Sequence, residues 1–357
     1  MRLRICLIAS SRFPVAEPFM GGLEAHTHSL AAALKRRGHE VLVFAGPGSD
    51  PALEATTLPV APFSSSEAAR SDVGGRPEQW MAEHHAYLDL MLALARGDHG
   101  HVDVVHNNSL HHLPIAMSRT LSAPLLTTLH TPPIAWLESA AEFAASNAHY
   151  VAVSDHLARS WEHVVTAETI PNGIDTAAWR PGPGGPRAVW SGRLVAEKAP
   201  HEAIDAARLA GVPLDLVGPA HDPAYFAREV EPRLGAGVRY LGHLAGDPLR
   251  RLVGEAGVAV VTPAWDEPFG LVAAEALASG TPVAAYARGA LPEIVTPGCG
   301  RLAVGGDTAS LAVAIREAMT LDRGAARRRA VEHFDVEVMV DRYEETYRWL
   351  SGVRDAA

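Results

Sequence analysis

Two cations stand five residues apart in Gly192-Arg193-Leu194-Val195-Ala196-Glu197-Lys198, directly after an apolar run that ends at Ser191. An Arg fork and a Lys point charge can neutralise the roughly two negative charges of a departing pyrophosphate without help from a metal. The same residues also read as a solvated helix start with a surface ion pair to Glu197. Lys198 is unusual in composition: of 31 basic residues only Lys35 and Lys198 are lysines. A second constellation, Trp265-Asp266-Glu267-Pro268-Phe269-Gly270-Leu271-Val272-Ala273-Ala274-Glu275, follows another apolar run, Val258 to Thr262. Pro268 suits a first helical position, which predicts Glu267 at a helix mouth and Glu275 two turns inside. Eight residues at the helical rise separate the carboxylates by roughly 12 Å along the axis. A glycosidase pair stands closer, at ~5–5.5 or ~6.5–9.5 Å. Two ends of one long ligand suit this pair better, with the amides near Phe269, Gly270 and Leu271 offering an anion or hydroxyl site. A plain dipole cap at Glu267 and a solvated Glu275 is the competing reading.

In the first half, Gly21-Gly22 lies between a predicted strand and a predicted helix, where backbone can approach a phosphate with no Cβ in the way. A plain strand-to-helix turn fits equally. The dinucleotide fingerprint Gly-x-Gly-x-x-Gly is absent. Eighteen histidines invite a metal hypothesis. Neither His84-His85, His99/His101 nor His111-His112 has carboxylate or cysteine spacing to match, and His26 and His28 fall on different helix faces. No metal site is expected.

These residues must be positioned by something, and the chain alternates short apolar runs with helical stretches. Strands are predicted at 5–10, 41–45, 102–106, 125–129 and 150–153, then at 188–191, 214–217, 238–241, 258–262, 282–286 and 301–304. Runs apolar on consecutive residues imply cover on both faces, hence parallel sheets in α/β layers. Helices are read at 23–37 and around 83–96; residues 50–77 read as loop with at most one short strand. Pro181-Gly182-Pro183-Gly184-Gly185-Pro186 is a linker by composition. Two doubly wound, Rossmann-like domains follow, over 1–180 and 187–335, with a linker at 181–186. A last helix at 336–350 has one apolar stripe of Val336, Val340, Tyr343, Tyr347 and Leu350. In such sheets ligands bind beyond the carboxyl ends of strands, where both constellations fall.

The whole-chain numbers agree. At 357 residues the chain is long enough for about two domains. A net charge of -10 disfavours a nucleic-acid partner, which needs a broad basic face. No apolar run approaches the ~20 residues of a membrane span. The start of the chain has no signal-peptide pattern, and two cysteines make no disulfide framework, so a cytoplasmic setting is expected. Lys35-Arg36-Arg37 suits a helix C-terminus, and Arg327-Arg328-Arg329 a solvated helix. Peripheral membrane contact is a minor reading.

Glu-Pro-Phe-Gly-Leu with its Glu-x7-Glu spacing, preceded by Gly-Arg-Leu…Glu-Lys, resembles the retaining glycosyltransferases of family 4, of GT-B architecture. Pro171-Asn172-Gly173-Ile174-Asp175 is similar to that family's interdomain segment, and Gly21-Gly22-Leu23-Glu24 to its glycine loop. The four motifs run from residue 21 to 275 in the family's order. The resemblance implies a metal-independent transfer of a sugar from a nucleotide-diphosphate sugar to an acceptor, with no cofactor. It implies that Arg193 and Lys198 bind the diphosphate and Glu275 the ribose, and that Glu267 faces the sugar ring. Phe269, Gly270 and Leu271 would help through their amides, and His243 and Leu244 would border the base. It also implies a donor-sugar contact for His130, which ends the strand 125–129, and a final helix that crosses back to the first domain. His106, Asn107 and Asn108 close the preceding strand and could meet the acceptor. One departure is Ala199 in place of the family's frequent glycine, with Pro200 after it; His26 receives no role. A glycoside phosphorylase or epimerase on the same architecture is disfavoured by the lack of a lysine for pyridoxal phosphate. A sugar-nucleotide sensor without turnover is the non-enzymatic alternative.

Overall fold

The computed structural model describes residues 2–60 and 63–352. Thirteen parallel strands form two sheets among the described residues. The first holds β1 (Arg4–Ile8), β2 (Glu40–Ala45), β3 (Thr56–Thr57), β4 (Val104–Asn107), β5 (Leu125–Leu129), β6 (Ala148–Ala152) and β7 (Ala167–Thr169), in the order β3-β2-β1-β4-β5-β6-β7. The second holds β8 (Ala188–Ser191), β9 (Leu214–Val217), β10 (Val238–Tyr240), β11 (Val258–Val261), β12 (Val283–Tyr286) and β13 (Gly300–Ala303), in the order β10-β9-β8-β11-β12-β13. Every residue of β4, β5, β9, β11 and β12 is buried, as consecutive apolar runs require when helices cover both faces. Strand order reverses between β1 and β4 and between β8 and β11. These switch points are where the loops diverge and leave room for a ligand.

Contacts divide the chain into two compact units. One comprises the chain to Val153, Leu157–Ile170 and the stretch from Val340 on; the other comprises Ser154–His156 and Pro171–Met339. The division thus falls near 170, ahead of the Pro/Gly-rich stretch read as linker. The reason is local pairing. Ile174 N–H bonds Phe334 O at 2.7 Å, and Val336 N–H bonds Ile174 O at 2.9 Å. Gly182 N–H reaches Ser279 O and Gly184 N–H reaches Gly254 O. A Cβ on Gly182 would stand 2.3 Å from Gly254 O, so these glycines serve close backbone packing and not a free tether.

The basic run 327–329 also differs from a solvated face. Arg327 donates to the carbonyls of Thr176, Trp179 and Ala278, and Arg329 to that of Glu293. Ala278 ends the helix Leu271–Ala278, whose last carbonyls lack internal donors. Only Arg328 keeps the expected exposure, at 64%. The described residues of segment 50–77 hold β3 and two single helical turns, Pro51–Leu53 and Glu67–Arg70. β7 went unread because it has three residues, Ala-Glu-Thr, at a sheet edge.

The terminal helix, Val336–Leu350, buries Val336, Met339, Val340, Tyr343 and Tyr347. From Val340 it belongs to the first unit. There Tyr343 Oη lies 3.0 Å from Thr128 Oγ1, Tyr347 Oη 2.7 Å from His106 Nδ1, and Glu344 Oε1 3.0 Å from His39 Nε2. Each fully buried side chain of that stripe contributes roughly 1.5–3 kcal/mol.

Candidate active site

The second unit gathers its polar residues at the β8/β11 switch point. After β8 the chain passes through Gly192 (φ 152°) and a single 3-10 turn, Ala196–Lys198, before the helix Pro200–Ala210. Ala199 joins turn to helix in the left-handed region (φ 44°, ψ 51°), which explains why glycine suits this position and costs alanine roughly 1–2 kcal/mol. Two residues, Thr262 and Ala264, tie this turn to the end of β11. Thr262 Oγ1 accepts the indole N–H of Trp190 (3.0 Å) and lies 2.9 Å from Lys198 O and 3.1 Å from Ala199 O, to which it donates. Ala264 N–H donates to Glu197 O at 2.8 Å.

Lys198 Nζ consequently meets Glu267 Oε2 at 2.5 Å, with side chains 23% and 16% exposed, and sits 5.3 Å from the Trp265 ring centroid. Arg193 instead forms the surface pair with Glu197, at 2.9 Å. The helix after β11 begins at Leu271, not at Pro268. Gly270 precedes it at φ 106°, and a Cβ there would stand 2.8 Å from Leu291 Cδ2. That turn delays the helix, so Glu267 lies in the loop and Glu275 one turn inside, and the axial-rise estimate of their separation does not apply. Glu267's peptide is gripped from β12. Ala290 N–H donates to its carbonyl at 2.8 Å, and a Cβ on Gly289 would stand 2.2 Å from the same oxygen. Phe269 is buried against Phe334. The amides of Leu271 and Val272 lie ahead of the first internal helix bond.

Glycines floor this edge. A Cβ on Gly218 (φ 141°), just past β9, would stand 1.8 Å from Gly192 O. Gly218 N–H bonds Gly242 O at 2.9 Å, and Gly242 leads into exposed His243 and half-buried Leu244. Sequence reasoning missed Gly218, Gly289, Thr262 and Trp190. For Gly218 and Thr262 the available signal was their place directly after the strands Leu214–Val217 and Val258–Val261; Gly289 and Trp190 had none.

The first unit has its own cluster at the carboxyl ends of β4 and β5. His130 Nε2 lies 3.1 Å from Asn108 Oδ1, so the neutral ring carries its proton on Nε2 and leaves Nδ1 as an acceptor. Burial, then the nearby His26 and His106, push its pKa well below the ordinary histidine value. His26 packs its ring 4.8 Å from that of His130, a placement the sequence reading did not give it. Asn107 Oδ1 accepts from Ser109 N–H and Oγ–H. The Nδ2 groups of Asn107 and Asn108 are buried without a partner. Gly21 and Gly22 stand at the amino end of the helix Gly22–Arg36, thirteen residues past β1, so they end a long loop and not a tight turn. Gly21 is extended (φ -165°), and a Cβ there would meet Glu24 Oε2 at 3.2 Å. Among the described residues no group of three or more His, Cys, Asp or Glu is arranged to hold a metal ion, and no helix is long and apolar enough to cross a membrane.

Residues 20–178 match the profile of Glycosyltransferase Family 4, and residues 176–333 that of Glycosyl transferases group 1. The glycogen synthase of Mycobacterium tuberculosis is 31% identical over 372 residues, spanning 92% of this chain and 88% of that protein. The chain belongs to the family 4 glycosyltransferases. The MMP alpha-(1->4)-mannosyltransferase of Mycolicibacterium hassiacum is 28% identical, over 88% of this chain and 91% of that one. Among solved structures, AviGT4, a glycosyltransferase involved in avilamycin A biosynthesis, matches with a TM-score of 0.70 at 25% identity over 99% of both chains. The Anabaena protein HepE, solved with UDP and glucose, matches in fold with a TM-score of 0.74 at 20% identity, over 98% of this chain and 100% of that one. The architecture is therefore GT-B and the protein a glycosyltransferase. These relatives favour neither the phosphorylase or epimerase alternative nor a sensor without turnover.

Proposed function

We propose that this glycosyltransferase retains anomeric configuration and draws on a nucleotide-diphosphate sugar without a metal or cofactor. The Lys198–Glu267 pair at the β8/β11 switch point is the observation that carries the reading. Lys198 and Arg193 receive the diphosphate, Arg193 by leaving its exposed pair with Glu197, which is worth little to stability. Glu267 orients Lys198 and meets the sugar hydroxyls. The amides of Phe269, Gly270 and Leu271 cradle sugar and phosphate, and Glu275 takes the ribose. His243 and Leu244 border the base across the glycine floor, which keeps side chains away from the diphosphate. The buried Trp265 indole N–H has no partner in the protein and offers a further donor. The acceptor meets the first unit, where Asn107 and Asn108 take its hydroxyls.

In the reaction the bond from the anomeric carbon to the phosphate oxygen breaks as the acceptor oxygen bonds that carbon on the same face. The acceptor's hydroxyl proton passes to the departing phosphate, whose charge Arg193 and Lys198 stabilise. HepE's bound UDP and glucose support a nucleotide-sugar donor by fold similarity. The test is proton NMR of the first-formed glycoside, with EDTA present. The same anomer as the donor sugar, at an unchanged rate, is expected. An inverted product or loss of turnover in EDTA overturns the reading.

A further inference from the structure

Three chain segments bring aromatic rings together at the carboxyl edge of the first sheet. Trp80 stands in the first turn of the helix Glu78–Arg96, with His84 one turn later. His111 and His112 lie in the loop after β4, and Trp136 opens the helix Ala135–Ala141 after β5. The Trp80 ring lies 5.3 Å from His84 and 6.2 Å from His112, each tilted by 12°, and His112 lies 5.3 Å from Trp136. His111, stacked 4.4 Å from buried Tyr87, backs this surface. Trp136 is 46% exposed and its neighbour Ile134 37% exposed, so this end of the cluster is open.

The electrostatics limit what such a face can bind. Burial holds His111 down to about 3, and burial with neighbouring His84 lowers His112, so these rings are neutral at physiological pH. Among the described residues, Arg76 is the cation on these rings, over Trp80 at 5.9 Å and Trp136 at 5.4 Å. A phosphorylated ligand would be met by a cluster of cations, and a lipid by a wide apolar face free of polar atoms. Here the polar atoms are present and unmatched. Asn107 Nδ2, Asn108 Nδ2, His84 Nδ1 and His111 Nε2 are buried without a partner, and both asparagines are fully buried. Orphaned buried donors and acceptors of this kind mark a ligand's hydroxyls or the water that precedes them.

Flat rings beside the unpaired imidazole nitrogens of His84 and His111 match a pyranose, which has one face of C–H bonds and a rim of hydroxyls. We propose that Trp80, His112 and Trp136 form a stacking platform for a sugar ring of the acceptor, and that the acceptor is accordingly a neutral oligosaccharide or polysaccharide. This rests on the reading that the acceptor meets the first unit.

The test is tryptophan fluorescence of the full chain, titrated with hexa- and heptasaccharides of α- and β-linked glucose, mannose and galactose. At least one should shift the emission saturably. Trp136→Ala should weaken that binding by ~10-fold or more, whereas Trp136→Phe, which keeps a flat ring, should hold within a few-fold. UDP and GDP thermal shifts on the same proteins report the donor reading separately. If a nucleoside diphosphate stabilises the protein and no oligosaccharide shifts its emission, the platform is refuted and the donor site stands. Oligosaccharide binding without any nucleotide effect would support the platform and sink the donor reading. Equal affinity in folded Trp136→Ala also overturns the platform.

Discussion

Replacing Lys198 by alanine separates a structural ion pair from a substrate site. Lys198 Nζ lies 2.5 Å from Glu267 Oε2, both side chains less than a quarter exposed. A fully buried pair broken on one side costs roughly 3–5 kcal/mol, and an exposed one ~0–1 kcal/mol. This half-buried pair falls between, at roughly 1–2 kcal/mol once solvent screening is allowed for. For a unit of this size each kcal/mol lowers the melting temperature by roughly 2–4 °C, giving a drop of ~2–8 °C. The ligand effect should be larger. A charge-assisted bond to a diphosphate is worth roughly 1.5–3 kcal/mol, a ~10- to 150-fold loss of nucleotide affinity. Loss of charge stabilisation in the transition state removes a further part, ~10²–10³-fold in turnover. Isothermal titration with the nucleoside diphosphate and single-turnover release of it measure the two effects. Lys198→Arg should not restore turnover fully, because a planar fork does not reproduce a compact ammonium. A Lys198→Ala protein that melts lower but binds and turns over as wild type would reduce the pair to structure and refute the reasoning.

Other predictions follow from the framework around that pair. Gly218→Ala places a Cβ 1.8 Å from Gly192 O at φ 141°, so the variant should be insoluble or lose nucleotide binding; a folded, binding variant contradicts the glycine floor. Thr262→Val leaves the Trp190 indole N–H and the Lys198 carbonyl without their shared hydroxyl, which should cost ~1–3 kcal/mol in urea unfolding and weaken diphosphate binding. An unchanged unfolding midpoint would count against that tether. His106 is fully buried, and burial, then His26, hold its pKa well below the usual 6.5. The unfolded chain takes up that proton and the native state does not, so stability is full above about pH 6.5 and falls as the pH drops. A urea midpoint that falls between pH 7.5 and 5 is expected, and one that stays level would contradict its neutral burial.

Much of the fold was legible because short consecutive apolar runs bounded by turn residues fit strands covered on both faces. The strands at 125–129, 188–191 and 214–217 and the helix at 336–350 fall where periodicity puts them. Short edge strands were not legible: β7, as Ala-Glu-Thr, carries no pattern. Of the site, Lys198 and Glu267 were readable from residue type and position after strands. Their mutual pairing was not, since it depends on Thr262 and Gly289 holding two loops from different strands. The late helix start at Leu271 escaped because Pro268 mimics a first helical position, and only the left-handed turn at Gly270 reveals the delay. Two other elements turned on long-range contacts absent from local pattern. The glycine-rich stretch at 181–186 packs against Gly254 and Ser279, and Arg327 caps the carbonyl of Ala278.

The most direct measurement is a thermal-shift panel of UDP, GDP, ADP, CDP and dTDP, each in EDTA, on wild type and Lys198→Ala. One diphosphate should raise the wild-type melting temperature by several degrees with no metal present, and the shift should largely vanish in the variant. Stabilisation by none of the five, or equal stabilisation of both proteins, would contradict the placement of the donor diphosphate beside Lys198.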